Sequence, residues 1–145
     1  MKTIIIAGGG RKAGKTTLAK ELGALLPDSR VVKLGHHPAK TGKPTLYFHT
    51  DTPYRDLEKA VGQCGFLVIE SGAILDDPEL VKDLVIFLPA REGPDKPDAD
   101  RRRAAADLIR GETVGKEDRD ALQGKLGVDS TIFHAILAAV GVASR

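Results

Sequence analysis

Gly9-Gly10-Arg11-Lys12-Ala13-Gly14-Lys15-Thr16 fits the spacing G-x-x-x-x-G-K-[ST]. Residues of these types in this order suit the grip of a polyphosphate. Glycines let a backbone turn approach a ligand without a clashing Cβ. The exposed N–H groups of such a loop form an anion cradle, to which a following helix N-terminus adds partial positive charge. Gly9, Gly10, Arg11, Lys12, Ala13, Gly14, Lys15, Thr16 and Thr17 would line that cradle. Lys15 would reach the β- and γ-phosphates, and the Thr16 hydroxyl would coordinate Mg²⁺. The flanking pattern supplies the elements that must position the loop. Thr3-Ile4-Ile5-Ile6-Ala7 reads as a buried parallel strand, and Leu18, Leu22, Leu25 and Leu26 recur at helical spacing.

Glu70 is the second signal. It ends the apolar run Phe66-Leu67-Val68-Ile69, where a carboxylate beside the phosphate loop could bind Mg²⁺ or orient a water. Thr16 and Glu70 are thus the expected metal ligands, and Lys15 and Glu70 the expected catalytic pair. Asp76 and Asp77 read as helix-capping residues. His36 and His37 follow the short run Val31–Leu34 and could touch an anionic substrate or stand as solvated loop residues; metal-ligand spacings are absent. Arg11, Lys12, Lys33, Lys40 and Lys43 would make this end of the molecule positive. Asp95-Lys96-Pro97-Asp98 is close to the guanine-reading N-K-x-D pattern, with Asp in place of Asn. In that pattern Asp98 would accept from guanine N–H groups; a turn leading to a helix cap is the reading we favour. Arg101-Arg102-Arg103 reads as a solvated helix face and Cys64 as a small core residue.

The 145 residues suit one domain with a sizeable core, and 41% hydrophobic against 29% charged content indicates a globular chain. A net charge of +2 and six scattered aromatics with no tryptophan argue against nucleic-acid binding. A single cysteine excludes an intramolecular disulfide. The opening apolar run is too short for a signal peptide or a membrane span, and a cytoplasmic location is expected. Further strands are expected at Thr45 to His49 and Leu84 to Leu88. Helices are expected from Asp56 to Cys64, from Asp77, from about Asp98 to Ile109, from Lys116 to Leu126 with an interruption at Gly124, and from Asp129 or Ser130 onward. Strands alternating with helices imply a mostly parallel sheet covered on both faces, with ligands beyond the carboxyl ends of the strands. The expected architecture is therefore a three-layer α/β P-loop NTPase fold over residues 1–110, with a short helical C-terminal extension, 111–145, packed on the same domain.

Three motifs in order also resemble the molybdopterin-guanine dinucleotide biosynthesis protein B family. The loop from Gly9 to Leu18 is similar to that family's G-x-K-N-S-G-K-T-T-L segment. Val31 to His37, with Gly42-Lys43-Pro44, is similar to its V-I-K-H-x-H-H segment and the lysine-proline that follows. Phe66 to Gly72 resembles its L-V-I-V-E-G strand end. Arg11-Lys12-Ala13 stands where the family has Lys-Asn-Ser, Leu34 where it has a first histidine, and Ser71 separates the acid from the glycine. The resemblance implies a GTP-binding protein with Mg²⁺, usually a homodimer, that assists the enzyme attaching GMP to molybdopterin. It places Lys15 and Thr16 on phosphate and metal, Glu70 at the acidic strand end, and His36 and His37 near the substrate opening. An ATP-dependent small-molecule kinase and a nucleotide-gated, non-enzymatic adaptor are the alternatives.

Overall fold

The computed structural model describes residues 1–10, 12–36 and 45–144. Six parallel strands form the central sheet: β1 (Lys2–Gly8), β2 (Ser29–Gly35), β3 (Thr45–His49), β4 (Phe66–Glu70), β5 (Leu84–Leu88) and β6 (Leu108–Ile109). They are arranged β3-β2-β4-β1-β5-β6. The strands β1, β4 and β5 are apolar on both faces, as parallel strands covered by helices must be.

The period of two along β1 divides the core. Ile4 and Ile6 join Val31, Val68, Leu84 and Ile86 on one face, and Ile5 joins Val32, Leu67, Ile69 and Val85 on the other. On the first face lies α1 (Lys15–Leu25), through Leu18, Ala19 and Leu22. On the second lies α2 (Tyr54–Val61), through Tyr54, Leu57 and Val61. The short helix α3 (Ala99–Ala104) connects β5 to β6. Beyond β6 come α4 (Lys116–Leu126) and α5 (Ser130–Val140). Asp129 caps α5 by accepting from the Ile132 amide at 2.8 Å. Phe133, Ile136, Leu137 and Val140 of α5 are buried in the same cluster as α1, so the C-terminal residues complete the first core.

Several elements differ from expectation. The segment from Asp98 to Ile109 divides, because α3 stops at Ala104 and Leu108–Ile109 pairs with Ile86 and Phe87 as the sixth strand. No helix starts at Asp77. A 3-10 turn, Ala73–Asp76, precedes it, and the Asp77 carboxylate instead accepts from the Tyr54 amide at 2.7 Å and the Glu79 amide at 2.9 Å. The helix expected to reach Cys64 ends at Val61, where Gly62 adopts φ 70°. Gly124 does not interrupt α4. Two further short strands, β7 (Thr113–Val114) and β8 (Ala143–Ser144), pair with each other. Among the described residues no helix is long and apolar enough to cross a membrane.

Candidate functional site

β1 delivers the glycine loop to the carboxyl edge of the sheet, and α1 leaves it. Gly14 stands at the helix N-cap with φ 95°, a left-handed conformation that suits glycine. Lys12 also has positive φ, at 59°. The first N–H groups of a helix lack intrahelical acceptors, so Lys15, Thr16 and Thr17 open α1 with donors and dipole directed at the loop.

The row across the three central strands places the charged residues. Ile6 is in register with Glu70, and Lys33 is in register with Glu70 from the other side. All three side chains continue the face that α1 covers, so the apolar layer ends in a lysine and a carboxylate beneath the first turn of that helix. The Thr16 hydroxyl donates to Glu70 Oε1 at 2.8 Å. Lys33 Nζ donates to Thr16 Oγ1 at 3.2 Å and lies 3.7 Å from Glu70 Oε1. Glu70 is only 5% exposed, and these partners offset the cost of burying its charge. Burial pushes the Lys15 ammonium below its ordinary pKa; Glu70 opposes that, and the charges of Arg102, Lys33 and Lys96 add to it.

A cavity of about 660 Å³ opens over these residues. Among the described residues, five cationic side chains, Lys12, Lys15, Lys33, Arg91 and Arg102, line it against the single carboxylate of Glu70. Such a surplus suits a polyanion. The donors also fit Mg²⁺. Two oxygens on adjacent vertices of an octahedron with bonds of about 2.1 Å stand about 3.0 Å apart. Thr16 Oγ1 and Glu70 Oε1 have nearly that separation, 2.8 Å. Mg²⁺ beside a nucleotide takes few protein ligands, the rest coming from phosphate and water. The lack of any group of three His, Cys, Asp or Glu side chains among the described residues is therefore compatible with that ion.

The loop after β5 closes the other side. The Lys96 amide donates to the Gly9 carbonyl at 2.7 Å, and the Asp95 carboxylate accepts from the Ala90 amide at 2.7 Å. A Cβ on Gly9 would stand 2.1 Å from Asp95 Oδ1, so glycine admits this approach. Arg110, just beyond β6, donates to the Ala13 and Pro89 carbonyls and ties the glycine loop to the end of β5. Burial, with Arg91 nearby, pushes the Arg110 guanidinium down from its usual range.

Of the sequence candidates, Lys12, Ala13, Gly14, Lys15, Thr16, Thr17 and Glu70 meet around the larger cavity, joined by His36. His36 makes an edge contact with His49, ring centroids 6.2 Å apart. Gly10 lies on a second cavity of about 540 Å³, which also has Lys12, Arg91 and Lys96 on its walls. Asp98 borders neither cavity; its carboxylate pairs with Arg102 at 3.0 Å. Asp76 pairs with Arg101 at 3.3 Å on the surface. Arg11, His37, Lys40 and Lys43 lie outside the described residues. Ser71, the residue between acid and glycine, accepts from the Ile74 amide at 3.2 Å and starts the 3-10 turn. Sequence reasoning missed the site positions of Arg91, Arg102 and Arg110. The arginine triplet was expected to be a solvated face, but Arg102 reaches the cavity and Arg103 lies over the Phe87 ring at 5.7 Å.

A parallel α/β sheet whose first strand runs through a glycine loop into a helix, with lysine, hydroxyl and strand-end carboxylate converging there, defines the P-loop class. No family model matches the chain. Nor does any curated protein. Among solved structures, the chain is similar to the crystal structure of hydrogenase maturation factor HypB from Archaeoglobus fulgidus, with 21% identity and a TM-score of 0.45 over 99% of this chain and 77% of that one.

Proposed function

We propose that this chain is a Mg²⁺-dependent, GTP-binding P-loop protein with slow intrinsic hydrolysis, acting in molybdenum-cofactor maturation. The observation that carries the nucleotide reading is the meeting of Thr16 and Glu70 at 2.8 Å beside the cation-lined cavity. Loop amides and Lys15 would hold the β- and γ-phosphates, and Thr16 with Glu70 would hold the metal, which when bound supplies charge neutralisation between those phosphates. Arg91 and Lys12 would add charge at the cavity rim. The guanine base, a homodimeric assembly, a cytoplasmic setting and assistance to the enzyme that joins GMP to molybdopterin rest on the ordered motif resemblance. Calorimetry with GTP, GDP and ATP in Mg²⁺ tests the proposal. Guanine nucleotides should bind more tightly than ATP. An absence of binding to all three defeats the phosphate-loop reading, whereas tighter ATP binding leaves that reading standing and removes the guanine preference and the molybdenum-cofactor role.

One observation favours a second reading, an ATP-dependent small-molecule kinase. The 540 Å³ cavity shares Lys12 and Arg91 with the larger one and adds Lys96, which suits an anionic acceptor next to the phosphates. ADP release that rises with one of a panel of anionic metabolites selects this reading.

A further inference from the structure

Three arginines follow one another in α3, and successive helical positions point about 100° apart. Their destinations differ accordingly. Arg101 is 74% exposed and pairs with Asp76 on the surface. Arg103 pairs with Glu112 at 2.5 Å. Arg102 turns inward, 23% exposed, onto the wall of the phosphate cavity.

Its surroundings are specific. Arg102 Nη1 stands 3.5 Å from the carbonyl of Gly8, the last residue of β1. The guanidinium lies against the bare backbone of Gly72, two residues past Glu70. A Cβ there would fall 2.4 Å from Nε and 2.5 Å from Cζ. Asp98 Oδ2 accepts from Nη2 at 3.0 Å and fixes the other side of the fork. The guanidinium is thus held between the ends of β1 and β4, near Lys15. Two cations directed at one cavity repel each other unless an anion lies between them. The end of β4 is also where a terminal phosphate would lie, since Thr16 and Glu70, 2.8 Å apart, would hold the metal that offsets the charge of that phosphate.

We propose that Arg102 acts in cis on the terminal phosphoryl group of a bound nucleoside triphosphate, with Asp98 as its positioning residue. The proposal rests on the nucleotide reading above and deepens it. In hydrolysis, a water oxygen bonds to the γ-phosphorus as the bond to the β–γ bridging oxygen breaks. The products are a nucleoside diphosphate, inorganic phosphate and a proton released to solvent. Arg102 donates to the γ-phosphoryl oxygens and offsets the charge spread over them as they pass to the attacking water. The diphosphate lacks that group, so Arg102 distinguishes triphosphate from diphosphate.

The test compares full-length wild type, Arg102→Ala, Arg102→Lys and Gly72→Ala. Calorimetry with GDP and with a non-hydrolysable GTP analogue in Mg²⁺, and with the adenine pair in parallel, is combined with single-turnover phosphate release. The φ of −82° at Gly72 suits alanine, so Gly72→Ala displaces the guanidinium without deleting it and serves should Arg102→Ala fail to fold. In Arg102→Ala, diphosphate affinity should stay within about twofold, while analogue affinity and phosphate release both fall by about tenfold or more. Gly72→Ala should repeat that split in weaker form, and Arg102→Lys should recover part of it. An equal loss for diphosphate and triphosphate, or no loss for either, overturns the proposal and leaves the phosphate-loop reading standing. A wild type that binds neither nucleotide overturns both.

Discussion

The Thr16 hydroxyl donates to Glu70 Oε1 at 2.8 Å, which joins the first turn of α1 to the last residue of β4 across 54 positions of the chain. Lys33 reaches the same two atoms from β2, at 3.2 Å from Thr16 Oγ1 and 3.7 Å from Glu70 Oε1. The ammonium therefore neutralises the carboxylate that a divalent ion would use.

Lysine and metal should compete for Glu70. Lys33→Met is expected to lower apo stability by about 1–2 kcal/mol, less than a fully buried pair would lose, because the Lys33 side chain is 35% exposed. It should also raise Mg²⁺ and Mn²⁺ affinity in the absence of nucleotide, so that millimolar Mg²⁺ recovers the lost melting temperature. Thermal unfolding with and without the ion checks this. A melting temperature indifferent to Mg²⁺ in the variant counts against Thr16 and Glu70 as a metal pair.

Lys15 carries the opposite kind of cost. Its folded pKa is pushed below 10.5, chiefly by burial, so the unfolded chain holds that proton more tightly. Below the folded value both states are protonated and the whole penalty stands. As pH rises through the folded value towards 10.5, the penalty is relieved and stability from this group increases. Lys15→Met removes it, so the apo melting temperature at neutral pH should equal or exceed that of wild type. Nucleotide affinity should nevertheless fall by about 1.5–3 kcal/mol, the worth of a charge-assisted contact. Binding of a phosphate chain should return the lysine towards its ordinary value. Wild-type calorimetry in two alkaline buffers of different ionisation heat should then register proton uptake that the variant lacks.

The parts of the site that were legible in the sequence are those fixed by short-range chemistry. The loop from Gly9 to Thr16 was readable because each of its residue types has a local reason, and Glu70 because it ends an unbroken apolar strand. Lys33 left a fainter signal. It follows Val31 at a spacing of two and so falls on the face that α1 covers, yet only the register with Glu70 reveals its partner. Arg102 and Arg110 left almost none. Their placement depends on where α3 stops and on β6, a two-residue strand that joins the sheet by pairing with Ile86 and Phe87. Helical periodicity cannot reveal a break made by tertiary pairing. For the same reason Asp77 resembled the cap of a helix that follows it, when it caps the start of α2, 23 positions earlier in the chain.

That reversed cap should govern acid stability. Asp77 accepts from the Tyr54 amide at 2.7 Å and the Glu79 amide at 2.9 Å, and these bonds hold its carboxyl below the ordinary value of 3.8. A carboxyl lowered in the folded state stabilises fully above 3.8, and that contribution is lost as pH falls through the folded value. Asp77→Ala should cost about 1 kcal/mol at neutral pH, the usual loss for a removed cap, and flatten the acid limb of the stability profile. Denaturant melts across the acid range would show this. An unchanged acid limb would mean that the start of α2 does not depend on Asp77.

Asp95 offers a cleaner separation of charge from geometry at the glycine loop. Its Oδ1 accepts from the Ala90 amide at 2.7 Å, while its Oδ2 lies 3.8 Å from Arg103, a loose pair on a partly exposed surface. The hydrogen bond shapes the turn that lets Lys96 donate to Gly9 at 2.7 Å, whereas the ion pair contributes little. Asp95→Asn keeps an acceptor at the same position and should leave stability and nucleotide affinity close to wild type. Asp95→Ala leaves the Ala90 amide without its acceptor and should cost about 1–3 kcal/mol. It should also speed amide exchange at Gly9, Gly10 and Lys96 and weaken nucleotide binding, because the loop loses the support of its neighbour. An equal loss in the two variants would mean that the Arg103 pair, and not the turn, holds the phosphate loop in place, and wild-type behaviour in both would mean that neither does.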